Sequence, residues 1–188
     1  CEATGVALGN AIVSDNCDDD LVATNNAPLS FPLGDTTVTW TVTDDNSNTV
    51  TATQIVTVED DIVPDFSFVP LDLTVECDVD TTDTANTGGS ATATDNCDNN
   101  VEITYTDSTV NGIGNNSVIT REWTATDDSG NVSTEDQVIT VEDTTDPTIT
   151  APAAVTVNVD AATCEATGVA LGNAIVSDNC DDDLVATN

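Results

Sequence analysis

Residues 1–25 read CEATGVALGNAIVSDNCDDDLVATN, and residues 164–188 read the same without one change. An identity of that length, at an offset of 163, does not arise by chance. It restricts the chain to folds built by repetition, and slightly more than one period is present. A weaker half-period lies inside it. Trp40 and Trp123, Asp60 and Asp143, and Pro64 and Pro147 all share an offset of 83. Cys17 to Cys97 is 80 and Cys97 to Cys180 is 83, which together restore the full period. The period therefore holds two homologous domains of about 80 residues, A and B. Residues 1–60 read as domain A lacking its first strands, residues 61–143 as a complete domain B, and residues 144–188 as the start of the next A. The two partial copies together amount to one domain, and the parent is expected to be a very long chain.

The local pattern is all-β. Domain B carries short runs rich in Thr, Val and Ile at about 65–68, 71–77, 90–94, 101–106, 117–126 and 133–141. Clusters of Asp, Asn, Gly and Ser separate them. Alternation is clear in Val138-Ile139-Thr140-Val141, and no 3.6-residue apolar period persists over a helical length. Six or seven short strands in about 80 residues predict immunoglobulin-like β-sandwich domains in an elongated repeat array. Trp40 and Trp123, on long late strands, are the expected core anchors.

Charge excludes whole classes of function. The chain has 35 acidic residues, one basic residue and no histidine, a net charge of −34. Phosphate neutralisation needs Lys and Arg, and Arg121 is the sole candidate, so no nucleic acid is expected as partner. An anionic membrane surface lacks its basic patch, and no apolar run approaches the length of a membrane span. General acid–base chemistry has neither His nor Lys to work with. An Asp/Glu pair is the remaining catalytic device, and carboxylates this common make any one pair uninformative, so no enzyme is expected. A Lys–Asn isopeptide cross-link is likewise not expected, because the chain has no lysine.

Six cysteines fall at matched positions: Cys1/Cys17, Cys77/Cys97 and Cys164/Cys180, at intervals of 16, 20 and 16. No C-x-x-C occurs, and the Cys/His zinc patterns lack their histidines. One pair per copy at near-constant spacing leads to the expectation of three disulfides within copies, Cys1–Cys17, Cys77–Cys97 and Cys164–Cys180. Such bonds persist in oxidising compartments, so an extracellular, cell-surface location is expected. Closing a loop of about 16 residues contributes roughly 3 kcal/mol in the chain-entropy model.

The order of motifs resembles the hyalin repeat (HYR) domain. The first copy supplies Asp15-Asn16-Cys17-Asp18, Pro32-Leu33-Gly34, Thr41-Val42-Thr43-Asp44 with Asn48, and Val58-Glu59-Asp60 with Pro64. The second supplies Asp95-Asn96-Cys97-Asp98, Thr124-Ala125-Thr126-Asp127 with Gly130-Asn131, Val141-Glu142-Asp143 and Pro147. The resemblance spans the whole chain. It implies an immunoglobulin-like fold and an extracellular adhesion role in large surface proteins with tandem copies. Neither copy has the further Cys that HYR domains often carry after the Asp-x-x-Gly-Asn loop. The acidity and the identity between units look more like giant bacterial adhesins than animal HYR proteins.

Carboxylates cluster where strands end. Calcium takes six to eight oxygens from Asp, Glu, Asn and backbone carbonyls. The candidate ligands are Asp44, Glu59, Asp60, Asp127, Glu142 and Asp143, with Asp15, Asp95 and Asp178 completing sites at the cysteine-bearing loops. A solvated acidic surface that keeps an array soluble accounts for the same clusters. Neither an EF-hand loop nor a nonapeptide calcium repeat is present. Asp-Thr/Ser steps resembling an O-glycosylation acceptor place candidate sugars on Thr36, Thr81, Thr84, Ser108 and Thr144, with unmodified loop threonine as the plainer reading. Asn115 and Asn131 begin N-linked sequons.

These features predict a structural module of a stalk or filament, stiffened by calcium and disulfides. Its partners would be neighbouring repeats of the same chain or head-to-tail subunits. The competing expectation is a direct adhesin binding a glycan or surface ligand through many copies. An aromatic content of 3% counts against sugar stacking.

Overall fold

The computed structural model describes residues 1–113 and 115–187. Its strands are β1 (Glu2–Thr4), β2 (Thr24–Asn25), β3 (Ser30–Pro32), β4 (Gly34–Thr43), β5 (Thr49–Val58), β6 (Asp65–Phe68), β7 (Leu73–Glu76), β8 (Thr92–Thr94), β9 (Glu102–Asn111), β10 (Ser117–Thr126), β11 (Val132–Glu142), β12 (Thr148–Thr150) and β13 (Ile175–Ser177). A single 3₁₀ turn, Thr84–Thr87, is the one helical element among the described residues. The fold is all-β, in several small sheets. β6 and β10 have the bounds expected from sequence. β9 runs beyond its expected end, to Asn111.

The strands recur at the spacing of the sequence repeat. β4 and β10 begin and end at the offset that separates Trp40 from Trp123, and β5 matches β11 almost as closely. β6 pairs with β8, and β12 pairs with β13 one half-period later. The turn after β4 and the turn after β10 share one design. Asp44 Oδ1 accepts from the Asn48 N–H at 2.7 Å, and Asp127 Oδ1 accepts from the Asn131 N–H at 2.7 Å. At the matching corner Ser47 has φ 70° and Gly130 has φ 89°. That backbone region suits glycine and strains serine.

Contacts divide the chain into two compact units. The first comprises Cys1–Asp65, Ala93–Glu102 and Ala125–Ser133; the second comprises Phe66–Thr92, Ile103–Thr124 and Thr134–Asn188. In the first, β4 and β5 form an antiparallel hairpin from Gly34↔Val58 to Thr43↔Thr49, flanked by β2. Val38 and Phe31 are buried there, whereas Trp40 is only half-buried and lines an open groove with Ile12, Val13 and Val50.

The second unit holds most of the sheet ordered β7-β11-β10-β9, with β11 and β7 parallel. Alternation along β10 and β11 buries Ile119, Trp123, Ile139 and Val141 on one face, where Ile119, Ile139 and Val141 pack against Leu73, Val75 and Cys77 and Trp123 meets the Tyr105 ring. The Trp123 Nε1–H donates to Gln137 Oε1, and the half-buried Trp40 makes the matching bond to Gln54. Trp123 thus anchors a closed core, as expected. Trp40 keeps the same local partner but lacks the covering layer.

Arg121, the only basic side chain, is wholly buried. Its guanidinium donates twice to Asp107, at 2.8 Å each, and also to Thr87 Oγ1 and the Thr81 carbonyl. It stacks over the Tyr105 ring, 4.1 Å from the centroid. The hydrogen bonds and charge of Asp107 raise its pKa further. The residue that electrostatics left as the sole phosphate candidate is therefore a core element.

The disulfides correct the expected pairing. Cys1 is bonded to Cys97 and Cys77 to Cys180, with Cα–Cα distances of 4.9 and 5.8 Å that suit a disulfide. Cys17 and Cys164 are free and exposed. None of Cys1–Cys17, Cys77–Cys97 or Cys164–Cys180 forms. The physical reason is that constant spacing repeats under any regular pairing, so it cannot name the partner. Tertiary contact does that, by bringing the loop at 95–98 to the start of the chain. The sequence separations closed are 96 and 103. In the chain-entropy model each contributes about 5 kcal/mol, against about 3 for the local loop.

Candidate metal centre

In the first unit three carboxylates come from three separate segments. Asp60 follows β5 in Val-Glu-Asp, Asp95 follows β8, and Asp127 follows β10. One oxygen of each lies within 4.8 Å of the others. Asp127 is buried and rigidly held. Its Oδ1 accepts the N–H of Ser129 and of Asn131, and its Oδ2 accepts the Asn131 side-chain amide at 2.8 Å. Burial pushes its pKa up, but the Asn131, Ser129 and Gly130 hydrogen bonds outweigh that and hold it below the usual carboxylate range.

Asn131 also ties this turn to the segment after β5, its amide donating to the Asp60 carbonyl at 3.0 Å. Asp95 Oδ1 accepts the N–H of Cys97 at 2.7 Å and of Asp98 at 2.9 Å. Asp95 Oδ2 is buried without any hydrogen-bond partner. A buried, unpaired carboxylate oxygen is costly unless a cation or donor meets it. Two carboxylates about 4 Å apart repel by about 1 kcal/mol in water and about 4 at an effective dielectric of 20.

The second unit repeats much of this chemistry. Asp178 is the half-period equivalent of Asp95. Its Oδ1 accepts the N–H of Cys180 and of Asp181, and its Oδ2 is again buried and unpartnered. Asp143, the counterpart of Asp60, lies beside Glu76 and the Cys180 sulfur, but that sulfur is bonded to Cys77, so two carboxylates meet here where the first unit has three. Hydrogen bonds from Thr144, side chain first and then backbone, hold the Glu76 carboxyl below its ordinary range. Among the described residues Asp95 and Asp178 carry the only buried unpartnered side-chain oxygens, and they are sequence equivalents.

The remaining candidates divide. Asp15 Oδ1 accepts the Cys17 N–H as its equivalents do, and Asp15 and Asp44 line one shallow groove with Asn48. No aspartate of a Val-Glu-Asp segment joins them. Hydrogen bonds from the Asn48 side chain and backbone lower the Asp44 pKa. Glu59 and Glu142 are exposed and join none of the acidic clusters. Three residues outside the expected set enter these sites: Asn131, Asn48 and Glu76. The Asp-x-x-x-Asn spacing, present in both copies, is the signal for the two asparagines.

Among the glycan candidates, Ser108 is exposed on β9. Thr144 Oγ1 is engaged by Glu76, and Thr84 Oγ1 by Ser90. Thr36 and Thr81 are half-buried, and the Thr81 carbonyl serves Arg121. The Asn131 amide is committed to Asp127 and Asp60, so this sequon is not available as folded. Asn115 likewise donates its amide, to the Cys180 carbonyl.

No family model matches this sequence, and no curated protein matches it. Among the described residues no helix is long and apolar enough to cross a membrane. The two disulfides suit an oxidising, extracellular setting.

Proposed function

We propose that this chain is a structural repeat of a long extracellular stalk or filament of a bacterial cell-surface adhesin. It would be built from HYR-like, immunoglobulin-like sandwich domains at 1–60, 61–143 and 144–188. Calcium at the acidic clusters would stiffen the passage from one copy to the next. The observation that carries this reading is the cluster of Asp60 from the end of one copy with Asp95 and Asp127 of the next. It leaves one buried carboxylate oxygen unmet, and the orphan recurs at Asp178.

Calcium suits that donor set. It is a hard cation accepting carboxylate and carbonyl oxygens in flexible geometry. Asp60, Asp95 and Asp127 supply three carboxylates, and water completes the shell. Binding would cancel the mutual repulsion and tie the linker to two loops of the following copy. The partners are then neighbouring repeats of the same chain or head-to-tail subunits. Linkers such as Glu59-Asp60-Asp61-Ile62-Val63-Pro64 are short and Pro-limited, which favours a stiff array.

The test is calorimetric titration with Ca²⁺, with melting and small-angle scattering in excess Ca²⁺ and in chelator at fixed ionic strength. The expected result is saturable binding, a lower Tm in chelator and a more compact average shape as junctions bend. Identical melting and scattering in both would reject calcium and leave the clusters as solubilising surface. Binding of purified repeats to cells or glycans would favour the direct adhesin instead.

A further inference from the structure

We infer that the disulfides follow one rule: the first cysteine of each copy bonds the second cysteine of the next copy. Cys1 is the first cysteine of A, and Cys97 is the second of B. Cys77 is the first cysteine of B, and Cys180 is the second of the following A. Two bonds at different places in the chain obey the same assignment, and both have Cα distances suited to a disulfide.

The rule also identifies the two free cysteines. Cys17 is the second cysteine of a copy, so its partner is the first cysteine of a preceding B, the equivalent of Cys77. Cys164 is the first cysteine of a copy, so its partner is the second of a following B, the equivalent of Cys97. Both thiols are exposed, as bonding to a neighbouring copy requires. Cys164 has the same sequence context as the bonded Cys1, and Cys17 the same as the bonded Cys180. The partner class is therefore a further copy of this repeat. Forming each bond removes two protons and two electrons from two thiols. A disulfide oxidant accepts them and is reduced to two thiols.

The rule gives the array an unusual covalent topology. The loop closed by Cys1–Cys97 overlaps the loop closed by Cys77–Cys180 over residues 77–97. Under tension the shortest covalent path crosses one disulfide, runs back from Cys97 to Cys77, crosses the next, and runs back from Cys180 to Cys164. Those two short returns are the only backbone it traverses in each full period. At about 3.5 Å per residue, a fully unfolded period extends to about 130 Å. With bonds inside each copy the same period would reach about 440 Å, and with none about 570 Å. Unfolding would thus release little length, and copies would stay linked in series.

The proposal rests on the tandem-array reading, and its test separates the two. Native protein is alkylated without reduction and digested with a protease cleaving after Glu, since one Arg and no Lys leave trypsin little to cut. Cleavage at Glu76 and Glu102 keeps Cys77 and Cys97 together on peptide 77–102, and cleavage at Glu165 separates Cys164 from Cys180. Mass spectrometry is expected to find peptide 77–102 joined both to the peptide that carries Cys1 or Cys164 and to the peptide that carries Cys17 or Cys180, whereas pairing within copies would leave 77–102 as a single internally bonded peptide. Pulling the native array should reach no more than about 130 Å per period at high force, lengthening more than threefold after reduction. Pairs within copies, or an extension of about 440 Å, would overturn the rule while the array stands. A reduced intact mass of about one period, with Cys17 and Cys164 alkylated, would overturn both.

Discussion

Replacing Arg121 with Met tests whether the only cation in the chain holds its core together. The substitution keeps a long unbranched side chain in place but removes five N–H donors. Asp107 loses both bonds of a bidentate pair at 2.8 Å, the buried Thr87 hydroxyl and the Thr81 carbonyl each lose a donor, and Tyr105 loses its stacked cation. Removing one partner of a buried ion pair costs about 3–5 kcal/mol. The Asp107 side chain is 25% exposed and can recover some hydration, which places the cost near the lower end, about 3 kcal/mol. At about 4–6 °C per kcal/mol for a unit of this size, Tm falls by about 12–18 °C. Differential scanning calorimetry of parent and variant, with disulfides intact, reads this. Adding Asp107→Leu to Arg121→Met removes the stranded carboxylate and should recover part of the loss. A shift under about 4 °C for R121M, or no recovery in the double variant, would refute the reasoning.

Other outcomes follow from the turns and clusters. Ser47→Gly relieves a left-handed backbone strain that Gly130 avoids, so urea unfolding should show a gain of about 0.5–1 kcal/mol, whereas Gly130→Ala should lose about 1. Asp95→Asn should abolish one class of Ca²⁺ site in calorimetric titration and remove the chelator's effect on Tm in proportion. The Asp80 carboxyl is held below its ordinary value by the Thr82 hydroxyl at 2.6 Å and then by the Thr82 N–H. Its contribution to stability is present above the unfolded pKa and is lost as pH falls through the lower folded one. Thr82→Ala should therefore raise the Asp80 pKa towards the ordinary value in carboxyl NMR titration, and an unchanged midpoint would contradict the assignment.

The sequence alone determined whatever repeats or alternates. The period of 163 and its half-period locate β4 with β10 and β5 with β11, because equal sequence gives equal local preference. Thr/Val alternation made the chain all-β, and the Asp-x-x-x-Asn turns are local hydrogen-bond chemistry that residue order shows directly. The candidate aspartates 60, 95 and 127 were legible as loop acids. Their convergence was not, since it joins positions as distant in sequence as Asp60 and Asp127. Local pattern says which face a side chain occupies but not which distant loop it meets. The same limit hid the disulfide partners, because two regular pairings share one spacing and only the fold chooses between them. It also hid the role of Arg121. Composition showed that a single positive charge exists; tertiary structure placed it inside the sheet, where desolvation demands Asp107 and leaves no charge for an outside partner.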